Sequence, residues 1–508
     1  MSRIENSLKN YTSNLVITLT SNLLNMISRT IFIYILGADY LGINGLFSNL
    51  LSMLSLAELG IGSAINFSLY KPIAEHNEDK IVCLMQFYKK CYRVIAGIVF
   101  GIGVLMMLFL DILVKDPGNV KNLRLIFFIY VVNTSYSYLM SYKNTLLSAS
   151  QKDYKLMKPN LVFSILNIVI QTVGLIITKN YICYLVSNMI VLFLQRVYIN
   201  CFITKEFPLL KRKAEDRLEE SELKVIIKNV KAMLWHKLGE YCINSTDNII
   251  ISMFLSIKLV GYYSNYLLII NMVNAYVHML FNNMTASMGD LIASESPERR
   301  WRVFRKVNFL GMWLYGFVSV CFYILLNPFI ELWIGTEYVL QNIIVFTLVI
   351  VNYMSSMRIP PFIVKSAAGL YAEDKFVPII QSAINLVVSV VLARKIGLLG
   401  VFLGTFISGI LPSFYRPYLI YKKVFIRKSI DYYKDYLKNL TVLVVVIFII
   451  EAIGNMIAGV PMVVAFVIKM ILCVFVTNFI FWFVYHKKQE YKELREIGRG
   501  IVKKICKN

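Results

Sequence analysis

Apolar residues run through this chain in long blocks that recur from one end to the other. The clearest blocks are Leu15–Leu36, Val94–Val114, Leu123–Leu147, Leu161–Ile177, Leu437–Ile457 and Met462–Val484. A helix needs about 20 residues to cross the roughly 30 Å hydrocarbon core of a bilayer. The pattern predicts fourteen such helices, at 12–36, 41–70, 94–114, 123–147, 159–178, 181–204, 233–256, 260–287, 307–329, 339–365, 376–394, 398–421, 437–457 and 462–485. The predicted fold class is therefore an all-α, polytopic membrane protein.

Composition supports the same fold class. The chain has 508 residues, of which 57% are hydrophobic and 16% charged, and its mean hydropathy is +0.62. Soluble domains carry roughly a quarter charged residues, so this much apolar surface predicts a lipid environment. The first apolar block is too long for the core of a signal peptide, and no small-residue cleavage site follows it. We therefore expect it to be retained as the first helix.

The chain has a net charge of +23, and most of its basic residues lie in the connections between the predicted helices. We assign these connections alternately to the two sides of the membrane. The side with both termini then holds 39 Lys and Arg residues, the other side holds 7, and 7 lie within spans. This asymmetry is the positive-inside pattern, which predicts that both termini are cytoplasmic. A nucleic-acid surface would not be divided among every second loop, so we expect no nucleic-acid partner.

The second half of the chain repeats the first at an offset of about 219 residues. The matching landmarks are Gly42 with Gly261, Asn133 with Asn352, Asn167 with Asn385, and Arg196 with Arg416. Two six-helix halves of the same topology are typical of transporters whose substrate lies between the halves. A duplication kept for the fold alone is the alternative. The predicted organisation is an N-terminal six-helix lobe (1–204), a cytoplasmic amphipathic linker (205–232), a C-terminal six-helix lobe (233–422), and two further spans with a basic cytoplasmic tail (423–508).

Several motifs resemble those of polysaccharide repeat-unit flippases of the Wzx type, within the superfamily that also contains MATE multidrug extruders and lipid II flippases. The second predicted helix carries Leu54-Ser55-Leu56-Ala57-Glu58-Leu59-Gly60-Ile61-Gly62, followed by Leu69-Tyr70-Lys71-Pro72-Ile73-Ala74-Glu75. Other similar stretches are Leu36–Gly42, Thr246–Ile251, Val260–Ser264 and Gly397–Val401. The resemblance covers helices one to twelve and implies a MATE-like fold.

The resemblance also implies a function. Such flippases move undecaprenyl-pyrophosphate-linked oligosaccharide units across the bacterial plasma membrane for capsule, O-antigen or exopolysaccharide synthesis. Alternating access of the two lobes around a cationic cavity would drive the transfer. The implied partners are the lipid-linked substrate, membrane lipids, and polysaccharide polymerase and assembly proteins.

Basic residues inside the spans are the candidate head-group ligands. A charge within a span usually faces a wet cavity or a partner, and the planar fork of Arg suits phosphate oxygens. We expect Arg29 and Arg358, then Arg196 and Arg416, to bind the pyrophosphate, with Lys143 and Lys365 as further candidates. Two alternatives remain open at this point: the lysines can snorkel to the interface, and the arginines can form intramembrane salt bridges.

Two carboxylates within spans are candidates for coupling transport to an ion gradient. Glu58 and Asp247 lie deep in the second and seventh predicted helices, where desolvation favours taking up a proton at neutral pH. The expected coupling ion is a proton or sodium. No metal-ligand spacing is present, so no bound metal or other cofactor is expected.

Two other classes of function fit part of the pattern. An ion-coupled multidrug extruder of the same fold would need an acid-rich pocket, whereas the charges here lean basic. A polytopic enzyme such as a polysaccharide polymerase or ligase would need a large external catalytic loop, and the longest predicted external loops are Lys115–Asn122 and Ile330–Tyr338. The sequence therefore predicts a transporter and not an enzyme.

Overall fold

The structure is a computed structural model that describes residues 3–54, 58, 61–150, 152–212, 246–282, 284–371, 373–456 and 459–505, together with 218, 220, 223–224, 226–227 and 230. Within these ranges the secondary structure is helical and contains no strand. The α-helices are Arg3–Leu54, Ile61–Ala74, Glu78–Met106, Leu110–Leu113, Leu123–Ser141, Asn144–Ala149, Tyr154–Thr178, Tyr181–Glu206, 246–254, Ile257–Asn282, Thr285–Ser294, Pro297–Ile334, Asn342–Ser356, Ile359–Ala367, Val377–Ile396, Leu398–Ile420, Ile430–Asn455, Met462–Tyr485 and Gln489–Ile505. Short 3-10 segments at Met107–Phe109, Pro208–Lys211 and Thr336–Tyr338, and a π-helical turn at Tyr421–Phe425, complete the elements.

Eleven of the described helical segments are long and apolar enough to cross a membrane. One of them, Thr20–Leu54, holds the first predicted span and the start of the second. Most of the seventh predicted span, at 233–256, lies outside the described residues. The fold class predicted from the apolar pattern is confirmed: the protein is an all-α, multi-pass membrane protein.

The predicted turn between the first two spans is a kink inside one long helical element. Gly37 has φ of 82° and ψ of −177°, a backbone conformation outside the helical region, and helix continues on both sides of it. An L side chain rarely adopts such a φ, whereas glycine does so at little cost. Gly37 therefore redirects the chain without a loop.

The described helices fall into two compact units, Met1–Gly261 and Tyr262–Asn508. In the first unit, the fifth and sixth predicted spans pack side by side, and Asn167 Nδ2 donates to Asn188 Oδ1 at 3.1 Å. In the second unit, the repeat-related Asn385 donates to Thr405 Oγ1 at 3.0 Å across the matching helix pair. Both units therefore join the last two helices of their repeat through a repeat-related asparagine, half-buried in the first unit and buried in the second.

The prolines of the tenth predicted span mark a break between two helices. One helix ends at Ser356 and the next begins at Ile359, so Pro360 and Pro361 lie in its first turn. A proline in the first turn removes only an N–H that has no intrahelical partner. The break leaves Arg358 at the junction, and its backbone carbonyl accepts the Phe362 N–H at 3.0 Å.

The last two spans, which the repeat does not include, pack on the long helix Pro297–Ile334. Trp313 Nε1 donates to Asn478 Oδ1 at 2.9 Å. A β-carbon on Gly316 would meet the ring of Phe481 at 3.1 Å, so glycine permits this close approach. The buried Tyr485 hydroxyl, on the last of these spans, donates to Asn439 Oδ1 on the other span at 2.7 Å. These helices are part of the core of the second unit.

Candidate functional site

In the first unit, Arg196 lies on a polar face of the helix Tyr181–Glu206, and Lys143, just before the helix Asn144–Ala149, contacts the same face. Arg196 Nη1 donates to the backbone carbonyl of Asn133 at 3.4 Å, and its guanidinium lies 5.0 Å from the ring centroid of Tyr136. Lys143 Nζ donates to Asn200 Oδ1 and to Thr204 Oγ1. Residues 196, 200 and 204 are spaced by one helical turn each, so one face of this helix organises both cations.

All of these partners are neutral. Within the described part of the chain, neither Arg196 nor Lys143 forms an ion pair with a carboxylate. Both side chains are half-buried. A partly buried cation held by amides, hydroxyls and an aromatic face keeps its full charge available to an incoming anion.

Arg29 lies on the first helix in the same unit, half-buried next to the ring of Tyr184. Its neighbour Ser28 is buried and accepts a hydrogen bond from Thr172 at 2.8 Å. Phe32, one turn further along, packs on Tyr184 with ring centroids 5.2 Å apart. Arg29 therefore lies in the part of the first unit where Ser28 and Phe32 anchor its helix to neighbouring helices.

In the second unit, the matching cations share one buried carboxylate. Lys365 Nζ lies 2.7 Å from Asp374 Oδ1, and Arg416 Nε lies 3.0 Å from Asp374 Oδ2. The side chains of Lys365 and Asp374 are fully buried, and that of Arg416 is 15% exposed. Each carboxylate oxygen is therefore bonded to a different cation, and the three groups together carry one net positive charge.

Arg358, at the helix break, lies beside this cluster. Its Nη2 donates to Ser355 Oγ at 2.6 Å, and its charge is close enough to Arg416 for the two guanidinium groups to repel each other. The structure thus brings three of the predicted ligands, Arg358, Lys365 and Arg416, into one region of the second unit.

The polar rim of this cluster lies on the segment that connects the tenth and eleventh predicted spans. Tyr415 donates its hydroxyl to the backbone carbonyl of Glu373 at 2.9 Å. Lys423 Nζ lies 2.7 Å from Glu373 Oε1, and this hydrogen bond holds the pKa of Glu373 below its ordinary value. Both contacts fix the backbone that carries Asp374.

Of the two coupling candidates, Glu58 ends a chain of hydroxyl groups. Glu58 accepts a hydrogen bond from the Tyr92 hydroxyl. Tyr88 donates to Tyr92 at 2.8 Å, and Thr145 Oγ1 donates to Tyr88 at 3.1 Å. The rings of Tyr88 and Tyr92 pack edge to face with centroids 4.4 Å apart. Glu58 is thereby connected through hydroxyls to the short helix Asn144–Ala149.

Asp247 is half-buried at the start of the described part of the seventh predicted helix, 246–254. It lies between the buried residues Thr246 and Asn248. On the same helix, Ser252 Oγ donates to the carbonyl of Leu113 at 2.7 Å. These contacts fix the helix that carries Asp247 against the end of the third span.

Asp374 and Tyr92 are candidate functional residues that the sequence analysis did not single out. Asp374 lies in a predicted cytoplasmic connection, where a carboxylate is ordinarily solvated. Its proximity to Lys365, nine residues away, was the signal that could have found it. Tyr92 is one of 32 tyrosines in the chain, and no spacing separates it from those at the membrane interface.

No protein-family model matches the chain, and no curated protein matches its sequence. Solved structures do match. An inward-facing multidrug-resistance MATE transporter of the MOP superfamily has a TM-score of 0.63 at 13% identity, covering 79% of this chain and 96% of that one. The lipid II flippase MurJ, in an inward closed conformation, has a TM-score of 0.62 at 17% identity, covering 93% of this chain and 98% of that one.

A variant of the Vibrio cholerae MATE transporter VcmN gives a TM-score of 0.55 at 15% identity, covering 80% of this chain and 94% of that one. Identities this low show the fold and leave the substrate open. The chain is a multi-pass membrane protein with the fold of MATE transporters and of the lipid II flippase MurJ.

Proposed function

We propose that this protein is a flippase that moves a polyprenyl-pyrophosphate-linked oligosaccharide across the bacterial plasma membrane. The two units would alternate in access around a cationic cavity, with both termini in the cytoplasm. The released units would supply a polysaccharide polymerase and its assembly proteins. The resemblance of the second-helix motif to repeat-unit flippases supports the substrate class.

The observation that carries this proposal is the charge of the first unit. Arg196 and Lys143 are partly buried and are held by neutral groups. Unpaired charge in a low-dielectric environment is costly. An anionic ligand such as pyrophosphate would offset that cost, whereas a cationic drug would increase it.

The extent of the fold gives a second line of support. The likeness to the lipid II flippase covers 93% of the chain, and the likeness to the MATE transporter covers 79%. The difference is comparable in size to the last two spans and tail, 423–508, which the internal repeat leaves out. A likeness to the lipid II flippase that extends over more of the chain favours a lipid-linked substrate over a soluble drug.

We propose a proton or sodium gradient as the driving force, with Glu58 and Asp247 as coupling groups. Glu58 can exchange a proton through the Tyr92 hydroxyl that it contacts and the Tyr88 hydroxyl that bonds Tyr92. Asp247 lies on the first helix of the second repeat, at a position near that of Arg29 in the first.

The deciding experiment measures lipid-linked oligosaccharide in cells that lack this protein, with the leaflet assigned by an external glycosidase. We expect material that the glycosidase cannot reach. Wild-type protein should relieve the accumulation. Arg29→Ala, Arg196→Ala and Arg358→Ala should each fail to relieve it at normal membrane levels of protein, while Arg124→Ala, at an exposed ion pair with Asp111, serves as the matched control.

The other possible outcomes of this experiment would contradict the proposed function. Accumulation of accessible single units would place the protein after translocation, as a polymerase or ligase. No accumulation, combined with increased sensitivity to cationic drugs, would indicate a multidrug extruder. Full relief by Arg196→Ala would remove the observation on which the proposal rests.

A further inference from the structure

A strongly basic cavity lies in the first unit, on the side that the charge pattern predicts to be cytoplasmic. Its volume is about 310 Å³, at the lower end of the range for ligand pockets. Five basic side chains line it: Lys89, Lys90, Arg93, Lys211 and Arg212. They come from the start of the helix Glu78–Met106 and from the segment after the sixth predicted span.

These charges are poorly compensated within the described residues. Arg212 pairs with Glu78 at 2.9 Å, at the edge of the cavity, and its backbone carbonyl accepts a bond from Gln86 at 3.3 Å. The described lining of the cavity contains no carboxylate. Lys89, Lys90 and Arg93 are all exposed, so the cavity presents them to solvent and to lipid head groups.

The floor of the cavity is apolar. Val82 and Met85 are buried there, Leu210 is half-buried, and Tyr142 is 8% exposed. A cavity with cations at the rim and an apolar floor suits a ligand that joins a phosphate group to a hydrocarbon chain. A soluble anion would use the rim alone.

The cavity adjoins the polar face that holds two of the predicted ligands. Lys89 is close enough to Lys143 for their charges to repel each other. Lys143 bonds Asn200 and Thr204, and Arg196 lies one turn before Asn200 on the same helix. Basic side chains therefore continue from the cavity to the interior of this unit.

We propose that this cavity is a docking site for the pyrophosphate head group of the lipid-linked substrate, which it passes to Lys143 and Arg196. The inference rests on the proposed function, because it assigns the cavity to the same lipid-linked substrate. The cavity would select the lipid-linked substrate by its charge and by its hydrocarbon chain. The substrate would reach this cavity before it reaches Lys143 and Arg196.

The test compares two variants of the full chain in nanodiscs. The first, Lys89→Gln/Arg93→Gln/Lys211→Gln, removes three cations from the cavity. The second, Lys158→Gln/Lys205→Gln/Lys428→Gln, removes three exposed cations elsewhere. The probes are farnesyl pyrophosphate and inorganic pyrophosphate, and retained phosphatidylglycerol is measured by mass spectrometry. Charge-assisted hydrogen bonds of this kind predict a roughly tenfold or greater loss of farnesyl pyrophosphate affinity in the first variant.

The control variant should bind farnesyl pyrophosphate about as well as wild type, and inorganic pyrophosphate should bind more weakly than the farnesyl ester. Retained phosphatidylglycerol should be unchanged. Equal loss of affinity in both variants would overturn the proposal, as would loss of phosphatidylglycerol with unchanged pyrophosphate binding, which indicates general lipid contact. Lys89→Arg/Arg93→Lys/Lys211→Arg keeps the charge and should bind as wild type does, which separates charge from misfolding.

Failure of this inference and failure of the proposed function give different results. Wild-type binding of farnesyl pyrophosphate without transport in reconstituted vesicles would reject the flippase function and keep the cavity. Transport that is unchanged by the triple cavity variant at limiting substrate would reject the cavity and keep the function.

Discussion

Gly42 packs directly on the backbone of Ile257: a β-carbon built on Gly42 would stand 2.0 Å from the Ile257 carbonyl oxygen. The reciprocal contact also exists, since a β-carbon on Gly261 would stand 2.2 Å from the carbonyl oxygen of Ala38. Gly42 and Gly261 are 219 residues apart, and so are Ala38 and Ile257. The repeat therefore supplies both sides of one close crossing, which lies within the first compact unit.

We expect Gly42→Ala and Gly261→Ala to destabilise the protein by about 1–3 kcal/mol, because the backbone must move to admit the new methyl group. Thermal unfolding of the purified protein measures the effect. Gly97→Ala is the control, since nothing lies within 4 Å of a β-carbon at this helical glycine. It should be neutral or slightly stabilising. Equal unfolding temperatures for all three variants would contradict the crossing.

Asp374→Asn should lower the free energy of unfolding by about 3–5 kcal/mol, because it leaves Lys365 and Arg416 without their shared counter-charge. Chemical unfolding in detergent measures the loss. The neighbouring Glu373→Gln is the matched control: its pair with Lys423 is partly exposed, and such pairs contribute little. An equally large loss in Glu373→Gln would show that the segment, and not the buried carboxylate, is responsible.

Glu58→Gln and Tyr92→Phe distinguish the effect of the Glu58 charge from the effect of its hydrogen bond to Tyr92. Glu58→Gln can keep an acceptor for the Tyr92 hydroxyl and removes the charge. Tyr92→Phe keeps the charge and removes the donor. If Glu58 carries the coupling ion, transport by Glu58→Gln becomes independent of the ion gradient, whereas Tyr92→Phe keeps the dependence at a reduced rate. Vesicle transport with and without a gradient distinguishes them, and full gradient dependence in Glu58→Gln would exclude this role.

The C-terminal helix Gln489–Ile505 should be held less firmly at acidic pH. Lys306 bonds Glu493 and holds its pKa below the ordinary value of 4.5, and Arg305 pairs with Glu490. A carboxylate whose pKa is lowered by folding stabilises the folded state above its unfolded pKa. That contribution is lost as pH falls through the lowered folded pKa. The protection factor of the amides in this helix, which corrects for the intrinsic pH dependence of exchange, should therefore be highest at neutral pH and fall below about pH 4.5.

Glu493→Gln provides the control for that measurement. It should lower the protection factor in the C-terminal helix already at neutral pH and remove most of its pH dependence. Exchange in the neighbouring helix Met462–Tyr485 should not change. A pH dependence that persists in Glu493→Gln would assign the effect to another group.

The helical architecture could be predicted because apolar length and loop chemistry are local properties of the sequence. The turn at Gly37, the amide pairs of Asn167 and Asn385, and the closely packed Gly42 and Gly261 all involve residues that the motifs or the repeat had marked. The sequence predicts the last two spans only as helices outside the repeat. Their packing against Trp313 and Gly316 could not be foreseen, because apolar surface facing lipid and apolar surface facing protein have the same composition.

The partners of the candidate charges could not be predicted for a different reason. Asp374 reaches Arg416 across 42 residues, and Glu58 reaches Tyr92 across 34. Contacts at such separations depend on how helices pack. As repeat partners, Arg196 and Arg416 are equivalent candidates in the sequence. Only the structure distinguishes their surroundings, which are neutral groups in one unit and a carboxylate in the other.

That carboxylate also limits how strongly the membrane voltage can act on the second unit. Lys365 and Arg416 alone would carry two charges, and with Asp374 the cluster carries one. A unit charge moved through the whole field gains or loses about 2.3 kcal/mol per 100 mV. When this cluster moves along the membrane normal, the electrical force on it is therefore half the force that its two cations alone would experience. Asp374 thus makes the resting conformation of this unit less sensitive to changes in membrane potential.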